Sequence, residues 1–166
     1  MQEEFFMKIA LAQAEAALLA GEFPVGCVIA DQEKVIATGA RMNSAGGSSN
    51  EVDHAEIIAL RNLWEQNKQV DTKGLTIFST MEPCLMCFGA IVLSGIPKIV
   101  YSYEDVMGGG VCCDLTRLKP LYQEARVAIV PNILREKSLL LFKRFFNSPG
   151  SDYWKDSFLA RYTLEQ

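Results

Sequence analysis

Four residues in two short motifs could build a catalytic zinc site. His54, the only histidine in the 166-residue chain, stands two positions before Glu56, and Cys84 and Cys87 follow later in a Pro-Cys-Leu-Met-Cys run. One imidazole and two thiolates supply three protein ligands, and a catalytic zinc site has three such ligands plus an open position. We therefore predict one Zn²⁺ per chain, held by His54, Cys84 and Cys87, with water or hydroxide as the fourth ligand.

Each motif has a structural alternative when it is taken alone. A Cys-x-x-Cys pair can also be a redox pair or half of a structural zinc site. Glu56 could complete a capping box with Asp53 as the N-cap of a helix. The chain has no second Cys-x-x-Cys, and Cys112 and Cys113 are adjacent, which is poor geometry for a four-cysteine site. The joint occurrence of both motifs favours the catalytic interpretation.

The two motifs resemble the signature of zinc-dependent base deaminases, and this resemblance implies hydrolysis at a ring carbon that carries an amine. Zinc lowers the pKa of its bound water toward ~7 and so provides hydroxide near neutral pH. The amine leaves only after it is protonated, so a carboxyl group that is not a zinc ligand must transfer protons. Glu56 is the carboxylate that the motif places there. Glu82, which precedes Pro83, is the rival, and we expect it to have at most a minor positioning role.

The segments around the motifs predict one mixed sheet with helices on both faces, within a single domain spanning residues 1–166. Predicted strands cover residues 25–30, 35–41, 75–79, 98–101 and 126–130. After an opening helix, predicted helices cover residues 53–67, 83–93, 115–122, 134–146 and 153–162. The opening helix is expected to bury the stripe Phe5, Ile9, Ala12, Ala16 and Leu19. The polar residues 43–50 form a predicted active-site loop.

The second motif also predicts where its helix begins. Pro83 suits the first helical position, because it has no N–H to leave unpaired. Cys84 and Cys87 then lie in the first turn, where the helix dipole stabilises a thiolate. His54 can point toward the same ion beside Glu56 only from the boundary of its own helix.

Composition narrows the class of protein. The formal charge of −4 and the pI near 5.1 lack the basic footprint of a nucleic-acid-binding protein at the level of the whole chain, so a tRNA partner is possible but not favoured by charge. No apolar run approaches the ~18 residues of a membrane span. Five cysteines, an odd number, argue against a disulfide framework, and we expect Cys27 to be a core residue. We predict a cytoplasmic protein without a membrane partner.

The two motifs match the H-x-E and P-C-x-x-C signature of zinc-dependent base deaminases, and the chain resembles the cytidine deaminase superfamily. The Phe-Pro-Val-Gly run at residues 23–26 is similar to the family's first-strand signature. Bacterial tRNA adenosine deaminases are the most similar branch, followed by guanine deaminases and fungal-type cytosine deaminases. The resemblance implies a three-layer α/β/α sandwich with a five-stranded mixed sheet, a homodimer, and hydrolytic release of ammonia from a nucleobase. It also places Asn43, Ala55 and Asp105 beside the substrate, although Asn43 could equally be a turn former.

The C-terminal segment, residues 147–166, departs from the tRNA-acting members. These tend to follow a late Phe-Phe pair with arginines, whereas Asn-Ser-Pro-Gly follows Phe146 here, and residues 151–166 carry two basic and three acidic side chains. Tyr153, Trp154 and Phe158 make this segment aromatic. It is expected to act as a lid over the site, as in deaminases of free bases, or to pack against the body or a dimer mate.

These features rank three functions. The first is a deaminase of a free base or nucleoside such as guanine, adenine or cytosine, favoured by the acidic surface and the aromatic segment. The alternative is a tRNA-specific adenosine deaminase that forms inosine in an anticodon loop. It is supported by the motifs and by a basic helix that carries Arg135, Lys137, Lys143 and Arg144 against Glu136. The third is a zinc-stabilised binding protein without catalysis.

Overall fold

A computed structural model describes residues 2–46, 50–66, 69–150 and 152–166. Position 67 of the second predicted helix, positions 47–49 of the predicted loop and position 151 of the C-terminal segment lie outside these ranges. The helices are α1 (Gln2–Leu19), α2 (Ala55–Gln66), α3 (Leu85–Ser94), α4 (Pro120–Gln123), α5 (Arg135–Phe146) and α6 (Phe158–Glu165). The strands are β1 (Gly26–Ala30), β2 (Val35–Ala40), β3 (Thr76–Met81), β4 (Lys98–Tyr103) and β5 (Ala128–Val130).

The five strands form one mixed sheet in the order β2-β1-β3-β4-β5. β1 pairs antiparallel with both β2 and β3, and β3, β4 and β5 are parallel to one another. This arrangement confirms the predicted five-stranded mixed sheet. Among the described residues, no helix combines the length and apolar character that crossing a membrane would require.

Helices cover both faces of the sheet, because the side chains of a strand alternate between the faces. On β1, Cys27 and Ile29 join the core that includes α2 and α3, whereas Val28 and Ala30 join the core against α1. The same alternation holds for Ile77 and Phe78 on β3 and for Ile99 and Val100 on β4. Cys27 is fully buried, as predicted.

Two glycines let helices approach the sheet closely. A Cβ atom on Gly26 would overlap the backbone of Ala10 and Ala14 in α1. A Cβ atom on Gly39 would overlap the backbone of Ala55 and Ala59 in α2. The second contact holds the start of α2, which immediately follows His54, directly against β2.

The predicted buried stripe of α1 is wrong except at Ile9, which is partly buried against the core. Phe5 and Leu19 are 58% and 78% exposed, and Ala12 and Ala16 are also exposed. The buried positions are Phe6, Met7, Ala10, Leu11, Ala14 and Ala17. Both stripes are apolar, so periodicity alone could not choose between them, and packing against the sheet made the choice.

Three helix boundaries also differ from the prediction. The helix expected over 115–122 is a 3₁₀ turn, Leu115–Arg117, followed by the short α4, because Lys119 is held extended before Pro120. The helix expected from Tyr153 begins at Phe158, where the Ser157 side chain caps it. Pro83 is not the first helical residue, since Cys84 is the N-cap of α3 and is extended.

Candidate active site

The predicted zinc ligands meet at one edge of the sheet. Cys84 follows β3, and Asp105 follows the parallel strand β4, so both lie where the carboxyl ends of neighbouring parallel strands meet. His54 immediately precedes α2, and its carbonyl accepts the first-turn hydrogen bond from Ile58 N. Two helix starts therefore converge on this edge.

The three side chains have the spacing of a zinc site. His54 Nδ1 lies 3.5 Å from Cys84 Sγ and 3.5 Å from Cys87 Sγ, and all three ligand atoms lie within 4.8 Å of one another. Tetrahedral zinc with Zn–N near 2.0 Å and Zn–S near 2.3 Å places its nitrogen and sulfur ligands about 3.6 Å apart. The arrangement fits Zn²⁺ without rearrangement and confirms the predicted ligand set as a zinc site.

The electrostatics of this cluster also suit a cation. Hydrogen bonding from Cys87 lowers the pKa of Cys84 to about 4; burial opposes this, and a hydrogen bond with His54 adds to it. The same hydrogen bond to Cys84, together with burial, raises the pKa of Cys87. Burial lowers the pKa of His54, but the hydrogen bond to Cys84 and the charges of Glu56 and Cys84 together outweigh it, and the net shift is upward. The cluster thus holds a thiolate beside protons that a divalent metal ion would displace.

The second imidazole nitrogen faces an acidic residue. His54 Nε2 lies 3.9 Å from Glu51 Oε2. Carboxylates commonly orient the non-ligating nitrogen of a metal-binding histidine. At 3.9 Å the contact is longer than a hydrogen bond, so Glu51 lies near this nitrogen without fixing the ring.

Glu56 lies inside the protein, next to the ligands. Its side chain is buried, Oε1 accepts a hydrogen bond from Ser79 Oγ at 2.8 Å, and Oε2 lies 3.5 Å from the Cys87 thiol. Burial raises the pKa of this carboxyl group. The capping-box alternative does not describe it, because Asp53 instead accepts hydrogen bonds from Asn43 and Asn50. Glu56 is thus a carboxyl group beside the ligand cluster, with one oxygen fixed by Ser79.

A cavity of about 420 Å³ opens in front of the cluster. This volume is within the ~300–1,000 Å³ of small-molecule sites. Its walls are mainly apolar, with a few polar groups. The polar or charged side chains that line it with His54 and Cys84 are Arg41, Glu51, Glu56, Glu82 and Asp105.

The three predicted substrate-contacting residues occupy different places. Ala55 and Asp105 line the cavity. The Asp105 carboxylate accepts hydrogen bonds from the backbone of Met107 and Gly108, and burial raises its pKa. Asn43 is not among the lining residues; its backbone is left-handed, with φ of 57°, and its amide donates to Asp53. In this geometry Asn43 acts as a turn former.

Residues 1–103 match the cytidine and deoxycytidylate deaminase zinc-binding region. The chain belongs to this deaminase family. It is 33% identical over 149 residues to the tRNA-specific adenosine deaminase of Buchnera aphidicola subsp. Schizaphis graminum, covering 89% of this chain and 95% of the relative. It is 37% identical over 114 residues to the tRNA-specific adenosine deaminase of Aquifex aeolicus, covering 67% and 72%.

Solved structures agree with the fold. A tRNA:A34 deaminase, from work on A-to-I editing at the wobble position, superposes with a TM-score of 0.70 at 28% identity, over 82% of this chain and 98% of that one. Guanine deaminase from Nitrosomonas europaea superposes with a TM-score of 0.67 at 20% identity, over 86% and 83%. The second likeness concerns the fold alone. The protein is a zinc-binding hydrolytic deaminase, and the alternative of a non-catalytic scaffold is wrong.

Two of the three predicted lid residues of the C-terminal segment reach the cavity of this deaminase. Tyr153 and Trp154 line it together with Leu159 of α6. Phe158 does not line it and is 53% exposed at the start of α6.

Sequence reasoning missed Arg41 and Glu51. Arg41 is only 3% exposed, and it donates hydrogen bonds to the carbonyls of Met42 and Asn50 and to Tyr153 Oη. The sequence did contain one indication of Arg41, which is a charged residue at the end of a mostly apolar predicted strand. Burial of a guanidinium there costs free energy unless it has hydrogen-bond partners. Glu51 had no such signal, because its role depends on a tyrosine far along the chain.

Glu82 is closer to the cavity than the sequence suggested. Its carboxylate lines the cavity and accepts a hydrogen bond from Asp105 N at 3.2 Å. A Cβ atom at Gly109 would overlap this carboxylate, so the glycine makes room for it. Burial raises the pKa of Glu82. Glu82 thereby ties the loop after β4 to the loop that carries the cysteines.

Proposed function

We propose that the protein deaminates adenosine in a tRNA and forms inosine. The main support is the similarity to the Buchnera tRNA-specific adenosine deaminase, which extends over 89% of this chain and therefore well beyond the zinc motifs. The sequence favoured a deaminase of a free base or nucleoside and kept the tRNA-specific adenosine deaminase as the alternative. The comparisons favour the tRNA-specific function, so we now place it first.

The proposed chemistry replaces a C–N bond by a C–O bond. His54, Cys84 and Cys87 would hold the zinc ion, which supplies Lewis acidity and lowers the pKa of a bound water. Glu56 would take a proton from that water and deliver protons to the ring nitrogen and to the departing amine, which leaves as ammonia. The position of Glu56 supports this role, since it is buried beside Cys87 with one oxygen fixed by Ser79.

Other cavity residues would hold the base. The apolar wall includes Phe23 and Val25, which offer surfaces for a flat ring. Asp105 and Glu82 bring acceptor oxygens to the same cavity. We propose that Ala55 and Asp105 contact the substrate and that Asn43 shapes the adjoining loop.

The charges on α5 predict how strongly tRNA binding depends on ionic strength. Within the described residues, Arg135 pairs with Glu104 and Arg144 with Glu15, so half of the basic side chains counted on α5 are already compensated. A protein with few phosphate contacts has a shallow salt dependence of binding. We expect weaker dependence on ionic strength than a strongly basic deaminase would have.

The test is a substrate panel at low and high salt. An anticodon stem-loop with adenosine at the wobble position is incubated beside free adenosine, adenine, guanine and cytosine, and inosine and ammonia are measured. Inosine in the stem-loop, at a rate well above that for free adenosine, is the expected result. Deamination of a free base with no reaction of the stem-loop would overturn the proposal.

The free-base function remains the second candidate because of one observation. Tyr153 and Trp154 form part of the cavity wall, as a cover over a small substrate would. The same panel separates the two functions, since a cover that encloses a free base would give ammonia from the base and none from the stem-loop.

We also propose a homodimer. An open groove between α2 and α3 is lined by Ile57, Leu60, Trp64, Ala90 and Leu93, among others. Trp64 is 40% and Leu93 61% exposed, so a second copy could cover apolar surface there. Sedimentation should give a dimer, and Leu93→Asp should shift it toward the monomer. A monomeric wild-type protein at micromolar concentration would contradict this.

A further inference from the structure

Beside the cavity lies a second, outer groove of about 860 Å³. The two spaces share three lining residues, which are Glu51, Tyr153 and Trp154. These side chains therefore form a partition at the mouth of the active site. A group attached to a base in the cavity must pass this partition to reach the outer groove.

Tyr153 fixes the partition to the body of the protein. Its hydroxyl donates a hydrogen bond to Glu51 Oε2 at 2.8 Å and accepts one from Arg41 at 3.3 Å. Its ring packs edge-on against Phe23, with centroids 5.2 Å apart, and beneath the guanidinium of Arg41. Polar and apolar contacts thus hold this residue from several sides.

The fixed position of Tyr153 also positions the neighbouring side chain of Trp154. Its φ of 54° is left-handed, a conformation that costs a bulky residue energy and persists only where its surroundings enforce it. Its ring meets Tyr153 edge-on at 5.9 Å, and its carbonyl accepts a hydrogen bond from Ser157 N. The side chain nevertheless remains 44% exposed. A large aromatic surface is held in place at the mouth and left uncovered.

The residues that line the outer groove indicate which kind of ligand the exposed Trp154 ring could contact. Small and weakly polar residues line it, including Ser44, Ala45, Pro149 and Gly150. Its charged lining residues are the acidic Glu51 and Asp152, and no lysine or arginine lines it among the described residues. Such a groove suits a flat, uncharged ring and repels phosphate.

We propose that Trp154 is the stacking platform for the nucleotide base next to the target adenosine. The inference rests on the proposed function, because only a polynucleotide brings a second base to the mouth of the cavity. Enzymes of this chemistry extrude the target base from its stack, and its neighbours then lose a stacking partner. An aromatic side chain can replace that partner, and its removal weakens binding by roughly 5- to 100-fold per base.

The binding test uses Trp154 as its own reporter. The chain has two tryptophans, so Trp64→Phe leaves Trp154 as the single fluorophore, and Glu56→Gln is added to prevent turnover. The anticodon stem-loop should quench the fluorescence of this zinc-loaded double variant. A loop that is abasic beside the target, on the side that stacks, should bind about 5- to 100-fold more weakly. Equal affinity for the intact loop and for both abasic loops would overturn the inference.

The kinetic test uses substitutions at Trp154. Trp154→Ala should raise KM for the stem-loop by roughly 5- to 100-fold with little change in kcat, and Trp154→Phe should restore most of the loss. Free adenosine has no second base, so Trp154→Ala should change its KM much less than that of the stem-loop; equal changes for both substrates would reduce Trp154 to a wall of the cavity. Zinc content and melting temperature are compared in parallel to check the fold.

The outcomes separate this inference from the proposed function. If the wild-type protein forms no inosine in the stem-loop, the proposed function fails and the inference fails with it. If inosine forms and Trp154→Ala leaves KM unchanged, the function stands and Trp154 is only a cover.

Discussion

Two regions lie at the same cavity but are held in place by different kinds of contact. We call His54, Glu56, Cys84 and Cys87 the zinc corner, and Tyr153 with Trp154 the C-terminal cover. In the zinc corner, Cys84 and Cys87 come from one helix start and His54 and Glu56 from another, and both helices pack on the sheet. In the cover, Tyr153 reaches Arg41 and Glu51 across more than one hundred positions of the chain, through two hydrogen bonds, and its ring packs against Phe23.

This difference separates the residues that carry out the reaction from those that we propose select the substrate. The ligand cluster and Glu56 depend on buried groups whose displacement would disturb the core, so this corner tolerates little change. Tyr153 and Trp154 of the cover lie in the irregular segment before α6, and such segments vary more freely than the helices and strands that carry the chemistry. A likeness at the zinc corner therefore indicates a deaminase, whereas we propose that the cover discriminates between substrates.

Removal of a zinc ligand should have the largest effect. Cys87→Ser is expected to reduce bound zinc from about one ion per chain to almost none and to lower turnover by ~10³-fold or more, because water is no longer activated. Zinc is measured by atomic emission after dialysis. Cys112→Ser, which changes an exposed cysteine outside the cluster, is the control and should retain both zinc and activity. A Cys87→Ser protein with full zinc content would remove Cys87 from the ligand set.

Loss of the proton carrier should come next. Glu56→Gln keeps the shape and a partner for Ser79 but cannot transfer protons, so kcat should fall by ~10²–10⁴-fold while zinc stays bound. Glu82→Gln alters another carboxylate that lines the same cavity and should cost less than about tenfold. If Glu82→Gln lowered kcat more than Glu56→Gln does, Glu82 and not Glu56 would be the residue that transfers protons.

Loosening of the cover should have a smaller effect, confined to substrate binding. Tyr153→Phe removes the hydroxyl that donates to Glu51, a bond worth about 1 kcal/mol at this half-exposed carboxylate. KM should rise by roughly fivefold, with kcat and zinc content unchanged. Tyr122→Phe, on α4 and away from the cavity lining, serves as the matched control. A drop in zinc content in Tyr153→Phe would show that the two regions are not separable.

The smallest effect concerns the loop that carries Asn43. The Glu22 carboxylate accepts hydrogen bonds from Ser44 N, Ser44 Oγ and Ala45 N; burial raises its pKa, but these bonds outweigh burial and the net shift is downward. A lowered pKa in the folded state contributes stability above the unfolded value of about 4.5, which is lost as pH falls through the folded value.

Glu22→Gln should therefore reduce the free energy of unfolding by about 1 kcal/mol at pH 7 and by less near pH 3. Urea denaturation at both pH values measures the difference. Glu33→Gln, at an exposed position in the turn between β1 and β2, should leave the free energy unchanged. A Glu22→Gln deficit that was equal at both pH values would mean that the charge of Glu22 is unimportant.

The prediction from sequence was best where chemistry restricts residue type. His54, Cys84 and Cys87 are confirmed as a zinc site, because few residue types ligate zinc and their spacing places them at helix starts. The sheet was predicted correctly because short, mostly apolar runs bounded by turn residues mark strands. The α1 stripe was wrong because two apolar stripes compete on that helix, and α6 starts late because Trp154 is left-handed.

The sequence by itself determined the class of reaction, since one imidazole, two cysteines and one glutamate in these two motifs suit little else than zinc-dependent hydrolysis. Only the tertiary structure decided what surrounds that chemistry. Arg41, Glu51 and Tyr153 lie far apart along the chain, and no local pattern relates them. Contacts of this kind arise from the closing of long loops onto a folded body, and a sequence contains no short-range signal for them.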